Sequence, residues 1–179
     1  MLKEINTQRL ILREIEEKDL YDVYEYASDE SVARYMPWEA HKSIEDSRNF
    51  IDNEIEKYKK NNSLNYAIVL KETNKMIGTA GCFEYKEGDK FAQVGYVINK
   101  KYWGNGLVPE AMRAIIEYLF REKDVHRIYA KHYVGNEKSG RVMQKLGMKY
   151  EGTMEDSVFA KGEYITTKHY AIINPYSSK

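Results

Sequence analysis

The segment Lys101-Tyr102-Trp103-Gly104-Asn105-Gly106-Leu107-Val108-Pro109-Glu110-Ala111 constrains this chain more than any other. It follows an apolar run, Val94-Gly95-Tyr96-Val97-Ile98, and precedes a helical pattern. A strand that ends in Gly-x-Gly and then opens a helix leaves several backbone N–H groups free at the positive end of the helix dipole. Such a turn suits an anionic group such as a phosphate. A Cβ at either glycine would block close approach of a ligand or penalise a positive φ. Taken alone, the tripeptide fits a ligand-free strand-to-helix turn equally well.

The rest of the chain gives that turn its context. Residues 9–15 read as a first strand, and residues 16–27 as a helix with Leu20, Val23, Tyr24 and Ala27 on one face. Pro37 breaks the chain before a second helix, which Ser43 can cap with Asp46 three residues later; this helix carries Phe50, Ile51, Ile55 and Tyr58 and stops at Asn61-Asn62. Strands are expected over residues 64–70, 75–85 and 91–98, with hairpin turns at residues 71–74 and 87–89. The helix after the glycines turns Val108, Met112, Ile115, Leu119 and Phe120 inward. Its Pro109 falls in the first turn, where N–H groups have no helical partner. A strand over 125–133, a helix over 136–146 stopped by Gly147, and a hairpin of 149–159 with 163–173 complete the chain. The fold class is therefore α/β (α+β): a mixed, mostly antiparallel sheet of about seven strands with helices on both faces, in one domain spanning residues 1–179.

Composition narrows the function classes. Lys plus Arg equals Asp plus Glu, 28 of each, so no bulk field attracts nucleic acid or an anionic membrane. The sixteen tyrosines lack the basic stripe of a base-stacking platform. No apolar run is long enough to span a bilayer, and the first residues lack the pattern of a signal peptide, so a cytoplasmic protein is expected. One cysteine and four scattered histidines give neither a disulfide framework nor metal-ligand spacing, and no metal is expected. A dinucleotide-binding oxidoreductase fails on the missing third glycine, and on the position of Gly104-x-Gly106 after a fourth strand instead of a first.

Three segments, in order, resemble the GNAT family of N-acetyltransferases of the RimJ/RimL (ribosomal-protein N-terminal acetyltransferase-like) type. They are Gly95-Tyr96-Val97-Ile98 with Tyr102-Trp103-Gly104-Asn105-Gly106-Leu107-Val108-Pro109-Glu110-Ala111, then Asn136-x-x-Ser139 with Lys145-Leu146-Gly147-Met148-Lys149-Tyr150-Glu151-Gly152, and the opening Thr7-x-Arg9-Leu10-x-Leu12-Arg13 with Asp19. The resemblance implies acetyl-CoA as co-substrate, its pyrophosphate on the backbone N–H groups of Gly104, Asn105, Gly106, Leu107 and Val108, with Trp103 beside them. It places the pantetheine arm along Tyr96, Val97 and Ile98. Trp103 is usual in this branch, whereas Val108 replaces a small residue. Asn136 has a donor and an acceptor for the pantetheine amides, and Ser139 has a hydroxyl for the cofactor sulfur; both also suit helix capping.

The reaction implied is direct attack of an amine on the thioester, with the oxyanion held by backbone N–H groups near Val97 and Ile98. Many relatives protonate the thiolate with a tyrosine seven residues after the asparagine. Here Met143 stands there, which leaves Ser139. The usual acids for the base are replaced by Gln93, Val158 and Thr166, which leaves Glu84 as the nearest chemically able carboxylate, ahead of Asp156 and Glu155. The acceptor is read as a primary amine, foremost the α-amine of a protein N-terminus, with a polyamine, an antibiotic or a non-catalytic acyl-CoA module as alternatives. The protein is read as a monomer or a homodimer. Pro37-Trp38-Glu39 suits either substrate contact or helix packing, and His126 and His132 read as packing or surface residues.

Overall fold

The computed structural model describes residues 2–177. Eight strands form one sheet in the order β1-β2-β3-β4-β5-β6-β8-β7. They are β1 (Ile5–Asn6), β2 (Leu10–Arg13), β3 (Leu64–Leu70), β4 (Met76–Lys86), β5 (Phe91–Ile98), β6 (Arg127–Tyr133), β7 (Lys149–Ala160) and β8 (Glu163–Ile173). Five α-helices accompany them: α1 (Leu20–Ala27), α2 (Glu30–Ala33), α3 (Ile44–Lys59), α4 (Leu107–Arg121) and α5 (Glu137–Lys145). Every pairing is antiparallel except β5 with β6.

Alternation along the strands sorts the core into two layers. Ile68, Ala80, Ala92, Val94, Ile98, Ile128 and Ala130 pack with α4 and α5. Ala67, Val69 and Val97 point the other way, with α1, α2 and α3. A period of two along a strand produces this two-faced sheet. On α4, Val108, Met112, Ile115, Leu119 and Phe120 are all buried, as their spacing requires. Ser43 and Asp46 form the expected capping box on α3, and Gly147 leaves α5 at φ +80°.

Several expectations need correction. The sheet has eight strands where about seven were expected, because a strand at Ile5–Asn6 precedes the expected first one, which itself spans only Leu10–Arg13 of residues 9–15. A two-residue β1 turns back through Thr7, whose N–H donates to the Leu10 carbonyl, and pairs with β2. Residues 17–19 form a 3-10 turn with its own capping box between Glu16 and Asp19, so α1 starts at Leu20. The short α2, capped by Asp29 on the Ser31 N–H, was not expected at all. β6 begins at Arg127, not Val125, whose N–H donates to the Leu119 carbonyl at the end of α4.

Candidate active site

The site starts from a break in the sheet. β5 and β6 pair only at Phe91↔Arg127, Ala92↔Ile128 and Gln93↔Tyr129. Beyond these, β5 continues to Ile98 against β4, and β6 continues to Tyr133 against β8. A gap therefore opens between residues 94–98 and 130–133, whose facing backbone groups have no ladder partner across it. Because β5 and β6 are parallel, the helices that follow them, α4 and α5, both begin at the open end. Ligands commonly bind in a crevice beyond the carboxyl ends of parallel strands, and two helix N-termini add partial positive charge.

The Gly-x-Gly turn forms one lip of this mouth. Gly104 (φ +83°) and Gly106 (φ +74°) are both left-handed, and Gly106 is the N-cap of α4. A Cβ on Gly104 would meet nothing within 4 Å, and one on Gly106 only the Arg9 guanidinium at 3.7 Å, so the space before the turn is open. The Val108 side chain is buried in the core, which answers the crowding that a valine there threatens. Trp103 donates its indole N–H to the Ile98 carbonyl (2.9 Å), pinning the approach to the turn.

Thr7 and Arg9 brace the turn through Glu110. The Thr7 hydroxyl (2.6 Å) and Arg9 N–H (2.8 Å) donate to one oxygen of Glu110, and Arg9 Nε donates to the other (2.7 Å). The Arg9 guanidinium also donates to the Asn105 carbonyl at 3.0 Å. Burial acts to raise the Glu110 carboxyl, but these donors hold it below the usual carboxylate range. This brace explains why Thr7-x-Arg9 accompanies the glycines, although the two segments lie about a hundred residues apart.

The start of α5 forms the other lip. Asn136 is the N-cap, yet its side chain makes no capping bond, so the capping role considered for it is not the one it takes. Ser139 does not cap either: its Oγ lies 2.8 Å from the hydroxyl of Tyr96, across the gap on β5. The Lys138 ammonium sits over the Trp103 ring at 4.5 Å, a second contact between the lips. Met143 is buried.

Glu84 lies at the closed end of the gap. Phe83 is the extra residue of a bulge between the pairs Cys82↔Val94 and Glu84↔Gln93. The bulge sets Glu84 beside Gln93 on the face away from α4, with its side chain 48% exposed. The Tyr129 hydroxyl donates to its carboxylate at 3.0 Å, and Lys86 lies 3.5 Å away. Burial, then this carboxylate, push the Tyr129 phenol up to about 12. The Phe83 ring lies against Gly95, where a Cβ would come within 2.7 Å of it. Neither Phe83 nor Tyr129 was legible as a site residue, since the bulge that gathers them has no sequence signature.

The remaining candidates lie elsewhere. Val158 pairs with Ile165, Thr166 accepts the Val134 N–H through its carbonyl, and Asp156 and Glu155 are exposed on β7. Trp38 packs on the helix layer, its ring 5.7 Å from that of His41 and tilted to it by 51°. His126 is exposed and His132 buried, in keeping with surface and packing roles. Burial raises the Cys82 thiol to about 11, so it is no nucleophile at neutral pH. Among the described residues no cluster could hold a metal ion, and no helix is long and apolar enough to cross a membrane.

The split sheet with its left-handed Gly-x-Gly turn at the mouth is the frame in which the likeness to known proteins is read. Residues 9–149 match the family model described as Acetyltransferase (GNAT) domain, and the chain belongs to that family. It is 36% identical over 169 residues to a Bacillus subtilis protein named as the uncharacterized N-acetyltransferase YnaD, covering 94% of this chain and 96% of that one. It is 27% identical over 168 residues to the Escherichia coli [ribosomal protein uS5]-alanine N-acetyltransferase, covering 89% and 85%. A GNAT-family acetyltransferase structure from Bacillus anthracis superposes with a TM-score of 0.87 at 32% identity, covering 96% and 99%. The chain is thus an N-acetyltransferase.

Proposed function

We propose that this enzyme transfers the acetyl group of acetyl-CoA directly to an α-amine, such as the N-terminus of a protein or peptide. The observation that carries the reading is the gap that opens beyond Gln93↔Tyr129 with the Gly104–Gly106 turn at its mouth. In this reading the N–H groups of Gly104, Asn105, Gly106, Leu107 and Val108 hold the pyrophosphate, beside Trp103. The free edge of β5 at Tyr96, Val97 and Ile98 hydrogen-bonds the pantetheine arm as an added strand would, and the Asn136 amide serves the same arm. Backbone N–H groups near Val97 and Ile98 stabilise the oxyanion, and Ser139 meets the departing sulfur.

The base decides between acceptors. Glu84 stands level with Gln93, four residues from Val97 along β5, about 13 Å of strand. A proton must therefore travel from the amine to Glu84 through water. A relayed base favours an amine that is already free. At pH 7 an α-amine with pKa near 8 is roughly a tenth deprotonated, whereas a lysine near 10.4 is only about 0.04% free. The relative named for acting on an alanine of ribosomal protein uS5 supports a protein acceptor.

The test is an acetyl-transfer screen over N-terminal peptides, lysine peptides, polyamines and aminoglycosides. Activity confined to free α-amines is expected. Robust acetylation of lysine or polyamine, with none at N-termini, would sink the α-amine reading.

A further inference from the structure

A carboxylate, an amide and a phenol stand in one row across the closed end of the gap. Glu84 on β4 pairs with Gln93 on β5, and Gln93 pairs with Tyr129 on β6, the last rung before the strands part. Directly paired residues leave a sheet on the same face. The bulge on β4 is what puts Glu84 in the row. In an unbroken register with Cys82↔Val94, Phe83 would oppose Gln93, and Glu84 would oppose Ala92, which is buried in the core. Neighbouring strands lie about 4.8 Å apart, so two strand spacings, about 10 Å, separate the backbones of Glu84 and Tyr129. Their side chains close that distance across the Gln93 rung, with Tyr129 Oη 3.0 Å from Glu84 Oε2. A carboxylate only accepts, so the direction of this bond is fixed and the phenol donates. The glutamate's other contact draws it the opposite way. Lys86 Nζ lies 3.5 Å from Oε1, at ion-pair distance but outside the normal hydrogen-bond range. Lys86 pairs with Phe91, two residues farther from the gap than Gln93, and both side chains of the ion pair are about half exposed, so it holds weakly.

We propose that Tyr129 is a positioning residue for acetyl transfer: its phenol anchors the Glu84 carboxylate at the closed end of the gap, against the pull of Lys86. This rests on the reading of Glu84 as the relayed base in the proposed function. As the amine attacks, the N–C bond forms, the C–S bond breaks and its electron pair goes to sulfur. The proton that the amine loses passes through water to Glu84 and from there, through solvent, to the thiolate. Tyr129 holds Oε2 throughout and leaves Oε1 to take that proton. Burial, then the neighbouring carboxylate, hold the Tyr129 phenol up at about 12, so it keeps its own proton and stays a donor across the working pH range. A glutamate has three side-chain torsions to settle, and an anchor that fixes them beforehand removes that ordering from the reaction itself.

A double-mutant cycle tests this, run with whichever amine of the acceptor screen is turned over fastest. Tyr129→Phe keeps the ring and removes only the hydroxyl. It should lower kcat about three- to tenfold while the Kd for acetyl-CoA, by calorimetry, stays within about twofold. In a Glu84→Gln background the same change should alter kcat by less than about twofold, because the base it acts through is gone. A phenol that merely supported the sheet would act alike in both backgrounds. Equal kcat losses in the two, or an unchanged kcat in the single variant, would therefore overturn the proposal. The two readings fail separately. Full turnover in Glu84→Gln overturns both, whereas a slow Glu84→Gln beside a silent Tyr129→Phe overturns only the role of Tyr129.

Discussion

Replacing Gly106 by glutamate tests the pyrophosphate turn with a magnitude that the structure supplies. At φ +74° any L side chain costs about 1–2 kcal/mol in backbone strain. Sterically the cost is small, because the nearest atom to the new Cβ is the Arg9 guanidinium at 3.7 Å. Alanine at 106 therefore carries strain alone, and glutamate carries strain plus a charge. Two like charges about 4 Å apart repel by about 4 kcal/mol at the dielectric of a protein surface. Solvent at the open turn reduces this to about 2 kcal/mol. Arg9 offsets part of the new charge, since its Nη2, the atom nearest that Cβ, is not the one that bonds Glu110 or the Asn105 carbonyl. The net expectation is acetyl-CoA binding weakened roughly 10- to 30-fold in Gly106→Glu. Calorimetry with both variants, on samples shown folded by thermal melting, decides it. A folded Gly106→Glu that binds within threefold of the parent refutes the turn as the pyrophosphate site. Equal losses in Gly106→Ala and Gly106→Glu would refute the charge argument.

Three other outcomes are expected. Glu84→Gln should lower kcat at least about tenfold at neutral pH and leave the Kd for acetyl-CoA unchanged; steady-state kinetics showing no loss would remove Glu84 from the mechanism. Gly78→Ala places a Cβ 2.2 Å from the Val97 carbonyl, a backbone atom, and should cost about 3 kcal/mol in urea unfolding, an unchanged midpoint being the refuting result. The Glu25 carboxylate is held at about 2 by hydrogen bonds from Lys101, then Lys75, against an ordinary 4.5. Its folded value is the lower one, so its stabilisation is complete above 4.5 and is lost as pH falls from there toward 2. Acid melting curves of Glu25→Gln should be flatter over that interval than those of the parent, and parallel curves would contradict the assignment.

The parts of this fold that were legible in the sequence are those fixed by local rules. β3, β5 and β8 match their expected residue bounds, because an apolar run bounded by turn residues admits few other readings. The capping box of α3 and the left-handed Gly104, Gly106 and Gly147 follow from chemistry within a few residues. β1, the 3-10 turn and α2 were missed because two to four residues are too few to show a period. The site divides along the same line. Gly104, Gly106, Asn136 and Ser139 announce themselves by residue type beside a helix start, where backbone donors are free. What those residues face is decided elsewhere, by the point at which β5 and β6 part. Nothing within either strand marks that point. It depends on β4 holding β5 to Ile98 while β8 holds β6 to Tyr133, so that each strand stays paired with its outer neighbour beyond the point where the inner pairing ends. Tyr96 and Ser139 are each legible as cofactor residues, but nothing in the sequence pairs them with one another. Only the divergence of the two strands sets one against the other across the gap, with their hydroxyl oxygens 2.8 Å apart.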